Sequence, residues 1–117
     1  MENKKVTDLA YLTDALGGNK KLIKEVMEVF LNQFPLDIIQ LNNDVAERSY
    51  VKIRQSSHLM KSSTSIMGIA SLREPLDTIE KCALASDHID IIKKLTFEVN
   101  EIGQRAIDEI TEEIKNY

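Results

Sequence analysis

The chain has 117 residues, 43% hydrophobic and 29% charged, a size and balance that fit one globular domain over residues 1–117. Its net charge of −4 and pI near 5.2 give no electrostatic footprint for nucleic acid or an anionic membrane. No apolar run approaches the ~20 residues that a membrane-spanning helix needs.

Aromatic residues are few and Trp is absent, so aliphatic side chains must fill the core. The low counts of Gly (4) and Pro (2) suit long helices with short connections and suit a barrel or sandwich poorly. Cys82 stands alone, which excludes an internal disulfide. The start, Met1-Glu2-Asn3-Lys4-Lys5, leads into a polar, patterned segment and not an apolar signal core. A cytoplasmic location is therefore expected.

Thr7 or Asp8 is placed to cap a short first helix that ends at Leu16, with Gly17 as its left-handed stop. Asn19 caps a longer segment with Leu22, Ile23, Val26, Met27, Phe30 and Phe34 at helical spacing. Pro35 removes a backbone donor and is expected to bend or restart this helix, whose pattern resumes with Ile38, Leu41 and Val45. A third helix is predicted from about Tyr50 to Met67 and is stopped by Gly68. Ser71 and Glu74 form a possible capping box for a fourth, which should bury Leu76, Ile79, Cys82 and Ala83. The last helix begins at about His88 and carries a seam of Ile92, Leu95, Val99, Ile102, Ala106 and Ile110, followed by Ile114. No segment alternates like a strand. The expected fold is all-α, an antiparallel four-helix bundle with a short additional N-terminal helix.

At ~100° per residue, Ile53, Ser57, Met60, Thr64 and Met67 share one side of the third helix, which should face the core. His58 lies ~140° around from Ile53, on an outer stripe with Arg54, Lys61, Ser62 and Ser65. A mid-helix imidazole that points outward is a nitrogen nucleophile on rigid backbone, available near neutral pH. Lys61 can bring positive charge to a phosphoryl group, and serine hydroxyls can donate hydrogen bonds to it. Periodicity alone favours an ordinary surface histidine between ordinary surface cations, since a single His with Lys at i+3 is a weak signal.

The stretch Ser57-His58-Leu59-Met60-Lys61-Ser62-Ser63-Thr64-Ser65-Ile66-Met67-Gly68 resembles the motif of histidine phosphotransfer domains of two-component phosphorelays. Asp8-Leu9-Ala10-Tyr11-Leu12, Gly17-Gly18-Asn19, the Leu22–Phe34 segment and Pro35 are similar to that family's N-terminal pattern. The resemblance thus covers nearly the whole chain. It implies that His58 is the phosphoacceptor and that Lys61 neutralises the phosphoryl group. Ser63 takes the place of the motif's serine, and Gly68 that of its helix-ending glycine.

Two positions depart from the pattern. Ser62 stands where the family usually has glycine, and Leu84, one turn after Glu80, stands where many members carry arginine. The implied function is a phosphohistidine carrier that exchanges a phosphoryl group with the aspartate of response-regulator receiver domains. The implied partners are such a receiver and a hybrid histidine kinase. No cofactor of its own is expected, since Mg²⁺ would belong to the receiver, and the carrier is expected to be a monomer without autonomous enzymatic activity.

Other residues read more plainly. His88, beside Asp87 and Asp90, is a solvated helix start with too few ligands for a metal. Cys82, Met27, Met60 and Met67 are core fillers, and Glu109, Glu112 and Glu113 form a solvated face. Two other readings compete. In the paired dimerisation helices of a histidine kinase an acidic residue typically follows the histidine, whereas Leu59 follows His58. A bundle that binds receiver domains without carrying phosphate is compatible with Ser62 and Leu84.

Overall fold

Local chemistry sets most of the helix boundaries. The computed structural model describes residues 5–117, so Met1 to Lys4, part of the polar start, lie outside it. Among the described residues there are five α-helices: α1 (Ala10–Ala15), α2 (Lys20–Ala46), α3 (Tyr50–Ile66), α4 (Arg73–Leu84) and α5 (Ile89–Glu113). Short 3-10 turns follow α3 and α5, at Ala70–Leu72 and Ile114–Asn116. There is no strand among the described residues, and none of their helices is long and apolar enough to cross a membrane.

Asn19 caps α2 by accepting from the Leu22 N–H at 3.2 Å, and Ser49 caps α3 by accepting from Lys52 at 3.4 Å. Asp8 serves α1, where its carboxylate accepts from the Ala10 N–H at 2.9 Å. The first four helices end alike. Gly17, Arg48, Gly68 and Ser86 each take a positive φ just beyond the helix, between 52° and 64°. Each donates back to a carbonyl three residues earlier, and the next residue donates to one five residues earlier, as Ile69 does to Thr64.

Helix α2 runs unbroken through Pro35, contrary to the expected bend or restart. Proline costs it the bond to the Leu31 carbonyl. Tertiary packing holds both sides of the gap, because Phe30, Phe34 and Leu41 are buried and the two rings stack at 4.6 Å. Its 27 residues, at ~1.5 Å each, account for the 43 Å long dimension of the molecule. The expected Ser71–Glu74 capping box is absent, since the 3-10 turn Ala70–Leu72 feeds straight into α4, whose start has no side-chain cap.

The long helices pack in a ring: α2 on α3, α3 on α4, α4 on α5 and α5 on α2. Their inward faces make one core that includes Ile23, Met27, Phe34, Leu41, Ile53, Met60, Leu76, Ile79, Ile92 and Val99, all at most 1% exposed. On α5 the buried line is Ile92, Thr96, Val99, Gly103, Ala106 and Ile110, while Leu95 and Ile102 are half-buried flanks. The difference from the expected seam comes from small residues on the contact line. A Cβ on Gly103 would meet the Ile38 Cδ1 at 2.8 Å and Phe34 at 3.3 Å, so α5 lies closer to α2 than a larger residue would permit. Cys82 is half-buried against the core and not within it.

Two polar anchors were not anticipated. Asp44, 1% exposed, accepts from Gln40 at 2.8 Å and from the Ser56 hydroxyl at 2.6 Å, tying α2 to α3. Glu109 is not part of a solvated face. Its carboxylate accepts from the Val6 and Thr7 N–H groups and from the Thr7 hydroxyl at 2.8–3.0 Å. Burial pushes its carboxyl pKa up, but these donors and the charge of Arg105 outweigh burial and bring it below the ordinary value.

Candidate functional site

The stripe read from α3 is the one that is buried. Ile53, Ser57, Met60, Thr64 and Met67 are at most 2% exposed. The Ser57 hydroxyl donates to the Ile53 carbonyl at 2.8 Å and that of Thr64 to the Lys61 carbonyl at 3.1 Å, so neither needs a partner in the apolar core. With that face fixed, the opposite one must be wet. His58 is 69% exposed, and Arg54, Ser62 and Ser65 are exposed beside it.

What the histidine meets comes from the next helix. Its Nδ1 lies 2.8 Å from Glu80 Oε2, across the α3–α4 groove. The other oxygen of the same carboxylate accepts from Lys61 Nζ at 2.9 Å. Lys61 also donates to Asp77 Oδ1 at 3.0 Å, and the second Asp77 oxygen holds Lys81 at 2.9 Å. Asp77 and Glu80, three apart on α4, thus present adjacent carboxylates to Lys61, three residues after His58 on α3.

Charge and protonation follow from these contacts. The Glu80 and Asp77 hydrogen bonds raise the Lys61 ammonium pKa above its ordinary value, against some desolvation. Glu80 is held below the ordinary carboxylate value, first by its bond from Lys61, with burial opposing and His58 contributing. Asp77 is lowered by Lys81 and then by Lys61. Glu80 is therefore an anion at neutral pH, and an anion can only accept. In a neutral imidazole the proton then sits on Nδ1, which leaves the Nε2 lone pair free to act as a nucleophile.

The residues singled out from the motif do not all gather at the histidine. Lys61 is not the unattached outer cation expected: its amine is clamped between α3 and α4 by two carboxylates, and it is only about one-third exposed. Removing it would take away one link between the two helices as well as a charge. Ser62 is exposed and shares an open surface depression with Tyr11, Lys61, Ser65, Ile66 and Arg73. Ser63 turns the other way. Its hydroxyl donates to the Met60 carbonyl at 3.2 Å, and the residue lines a groove against Val29, Phe30 and Gln33 of α2.

Gly68 has a structural reason of its own, because at φ +64° a Cβ there would run into the Asp8 carbonyl. Leu84 is 68% exposed at the end of α4, and Leu59, next to His58, is 70% exposed.

Sequence reasoning missed Glu80 and Asp77 as members of this cluster. The available signal was an i, i+3 pair of acids on the helix after the histidine's, but pairing it with Lys61 required the register between the two helices. His88, at φ +61°, precedes α5 with its ring 3.8 Å from Asp87 and stands apart from the cluster. Compared with protein-family models, with curated proteins and with solved structures, the chain matches none.

Proposed function

We propose that the protein is a phosphohistidine carrier that exchanges a phosphoryl group between His58 Nε2 and the aspartate of receiver domains. The observation that carries this reading is the Glu80–His58 contact at 2.8 Å on an imidazole that is 69% exposed. It fixes the nitrogen that holds the proton and turns the other, nucleophilic nitrogen to solvent, where a partner can reach it. The ring of packed helices supports an antiparallel four-helix bundle with α1 as the short additional helix, a rigid support for such a group.

The chemistry asks little of this chain. Nε2 attacks the phosphorus of an aspartyl phosphate, the N–P bond forms and the P–O bond breaks. The electron pair returns to the aspartate carboxylate. The imidazole keeps its Nδ1 proton and becomes cationic, and the Glu80 carboxylate is already placed to stabilise that charge. Lys61 and the exposed Ser62 stand by for the phosphoryl oxygens. A Mg²⁺ ion, where used, belongs to the receiver, and autonomous catalysis by this chain is not part of the proposal.

A second reading keeps the docking and drops the chemistry. Leu59 and Leu84, both about 70% exposed on the two helices that carry the cluster, would suit a module that binds receiver domains without taking phosphate. One experiment separates the two. Incubation with an acetyl-phosphate-loaded receiver should label the wild-type chain with one acid-labile, alkali-stable phosphoryl group and leave His58→Gln unlabelled. Label on the glutamine variant at wild-type levels excludes His58 as the acceptor.

A further inference from the structure

We infer that Asp77 sets the transfer potential of the phosphorylated histidine, by competing with the phosphoryl group for Lys61, and so biases the carrier towards giving its phosphoryl group away. The inference rests on the phosphocarrier reading and assigns a direction to it. Asp77 touches neither the imidazole nor an incoming group and is a positioning residue that acts through Lys61.

The cluster holds two carboxylates, Glu80 and Asp77, and two ammonium groups, Lys61 and Lys81. With a neutral imidazole these four charges cancel. Phosphorylation adds a dianionic group and a cationic ring, which leaves the site one unit negative. Glu80 is matched to the ring cation through the Nδ1 proton. Asp77 has no such match. Its oxygens engage Lys61 at 3.0 Å and Lys81 at 2.9 Å, and Lys61 is the cation that the carrier reading gives to the phosphoryl group. Two of the three Lys61 N–H donors already go to carboxylates, so a phosphoryl group that takes the third shares the ammonium's charge with both of them, and Asp77 adds repulsion to its own dianion. The phosphorylated state therefore carries a penalty that the free state does not, and the equilibrium moves towards the receiver's aspartyl phosphate.

The isosteric change Asp77→Asn removes the charge and keeps the shape. In the exchange between receiver aspartyl phosphate and His58, followed to equilibrium with a panel of loaded, desalted receivers, the phosphohistidine fraction should rise. The expected change in the equilibrium constant is about two- to fivefold, the range that a screened surface charge pair supports. The difference should shrink as salt rises from about 0.05 M to about 1 M. Asp77→Glu, which keeps the charge, should stay near wild type. Glu112→Gln, which neutralises an acid in an exposed pair with Lys115, should leave the constant unchanged.

An equilibrium constant is insensitive to how fast the partners dock, so an effect on docking alone would alter rates and leave it in place. If His58 is labelled and Asp77→Asn leaves the constant at the wild-type value, or lowers it, this inference fails and the carrier reading survives. If no receiver in the panel labels wild-type His58, both fall together.

Discussion

Gly68 and Gly17 occupy equivalent positions after α3 and α1, yet replacing each by alanine should have unequal consequences. Both are left-handed, at φ +64° and +60°. An alanine pays about 1 kcal/mol or somewhat more for that backbone. At Gly17 nothing lies within 4 Å of the added Cβ, so this conformational cost is the whole effect. At Gly68 the Cβ also collides with the Asp8 carbonyl, and Asp8 must move.

That movement breaks the Asp8 N–H bond to the Met67 carbonyl, 3.1 Å long, worth about 1 kcal/mol net. Gly68→Ala should therefore lose roughly 2–3 kcal/mol and Gly17→Ala roughly 1 kcal/mol. For a chain of this size the melting temperatures should fall by about 8–12 °C and about 4 °C. Asparagine tolerates the left-handed backbone but still carries a Cβ. Gly68→Asn should lose most of what Gly68→Ala loses, while Gly17→Asn should be close to neutral. Urea unfolding of the four variants measures this directly. Equal losses at the two sites would show that the approach of Asp8 contributes nothing. On the carrier reading, Gly68→Ala should still be labelled at His58 below its melting temperature, since the glycine meets Asp8 at the helix junction and not the imidazole.

Two further outcomes test the fold and the site. Glu109→Ala should cost about 2 kcal/mol, the scale of hydrogen bonds to a charged group, and should free the Val6 and Thr7 amides to exchange. Because the Glu109 carboxyl is lowered in the folded state, its contribution is present above the ordinary glutamate value near 4.5 and fades as the pH falls through the lowered one; unfolding at pH 7 and pH 3 should show the gap to wild type closing in acid, and a constant gap would refute the carboxylate's role. On the carrier reading, Ser62→Gly should speed transfer from a receiver, because the exposed side chain adds bulk on the face that carries His58, at a cost of roughly 0.5 kcal/mol in helix stability; slower transfer would mean that the hydroxyl works for the site.

What the sequence disclosed tracks the range of the forces involved. Helical periodicity is local, so the buried face of α3 and the outward direction of His58 could be read from Ile53, Ser57, Met60, Thr64 and Met67 alone. Caps within a few residues, such as Asn19, were legible for the same reason. Pro35 misled because its local cost is real but is outweighed by burial of Phe30, Phe34 and Leu41 around it. The α5 seam was misplaced because Gly103 contributes by absence, and only the position of α2 gives that absence a meaning. Asp77 and Glu80 carry no local signal that ties them to His58, and only the packing of α4 beside α3 brings them together. The chemistry of the candidate site lives in that long-range register.

The common ending of the first four helices has a consequence for how this chain tolerates change. Two of the four left-handed positions hold glycine, which adopts that backbone freely, but Arg48 and Ser86 are held there against their preference. Both are exposed loop residues, and neither belongs to the cluster around His58. Each is thus a small unspent reserve: glycine or asparagine there would relieve strain without disturbing the core or the cluster around His58. A variant weakened elsewhere, by altering the α3–α4 cluster for instance, could be returned to health from these two junctions, which gives the surface around His58 latitude to diverge while the scaffold beneath it endures.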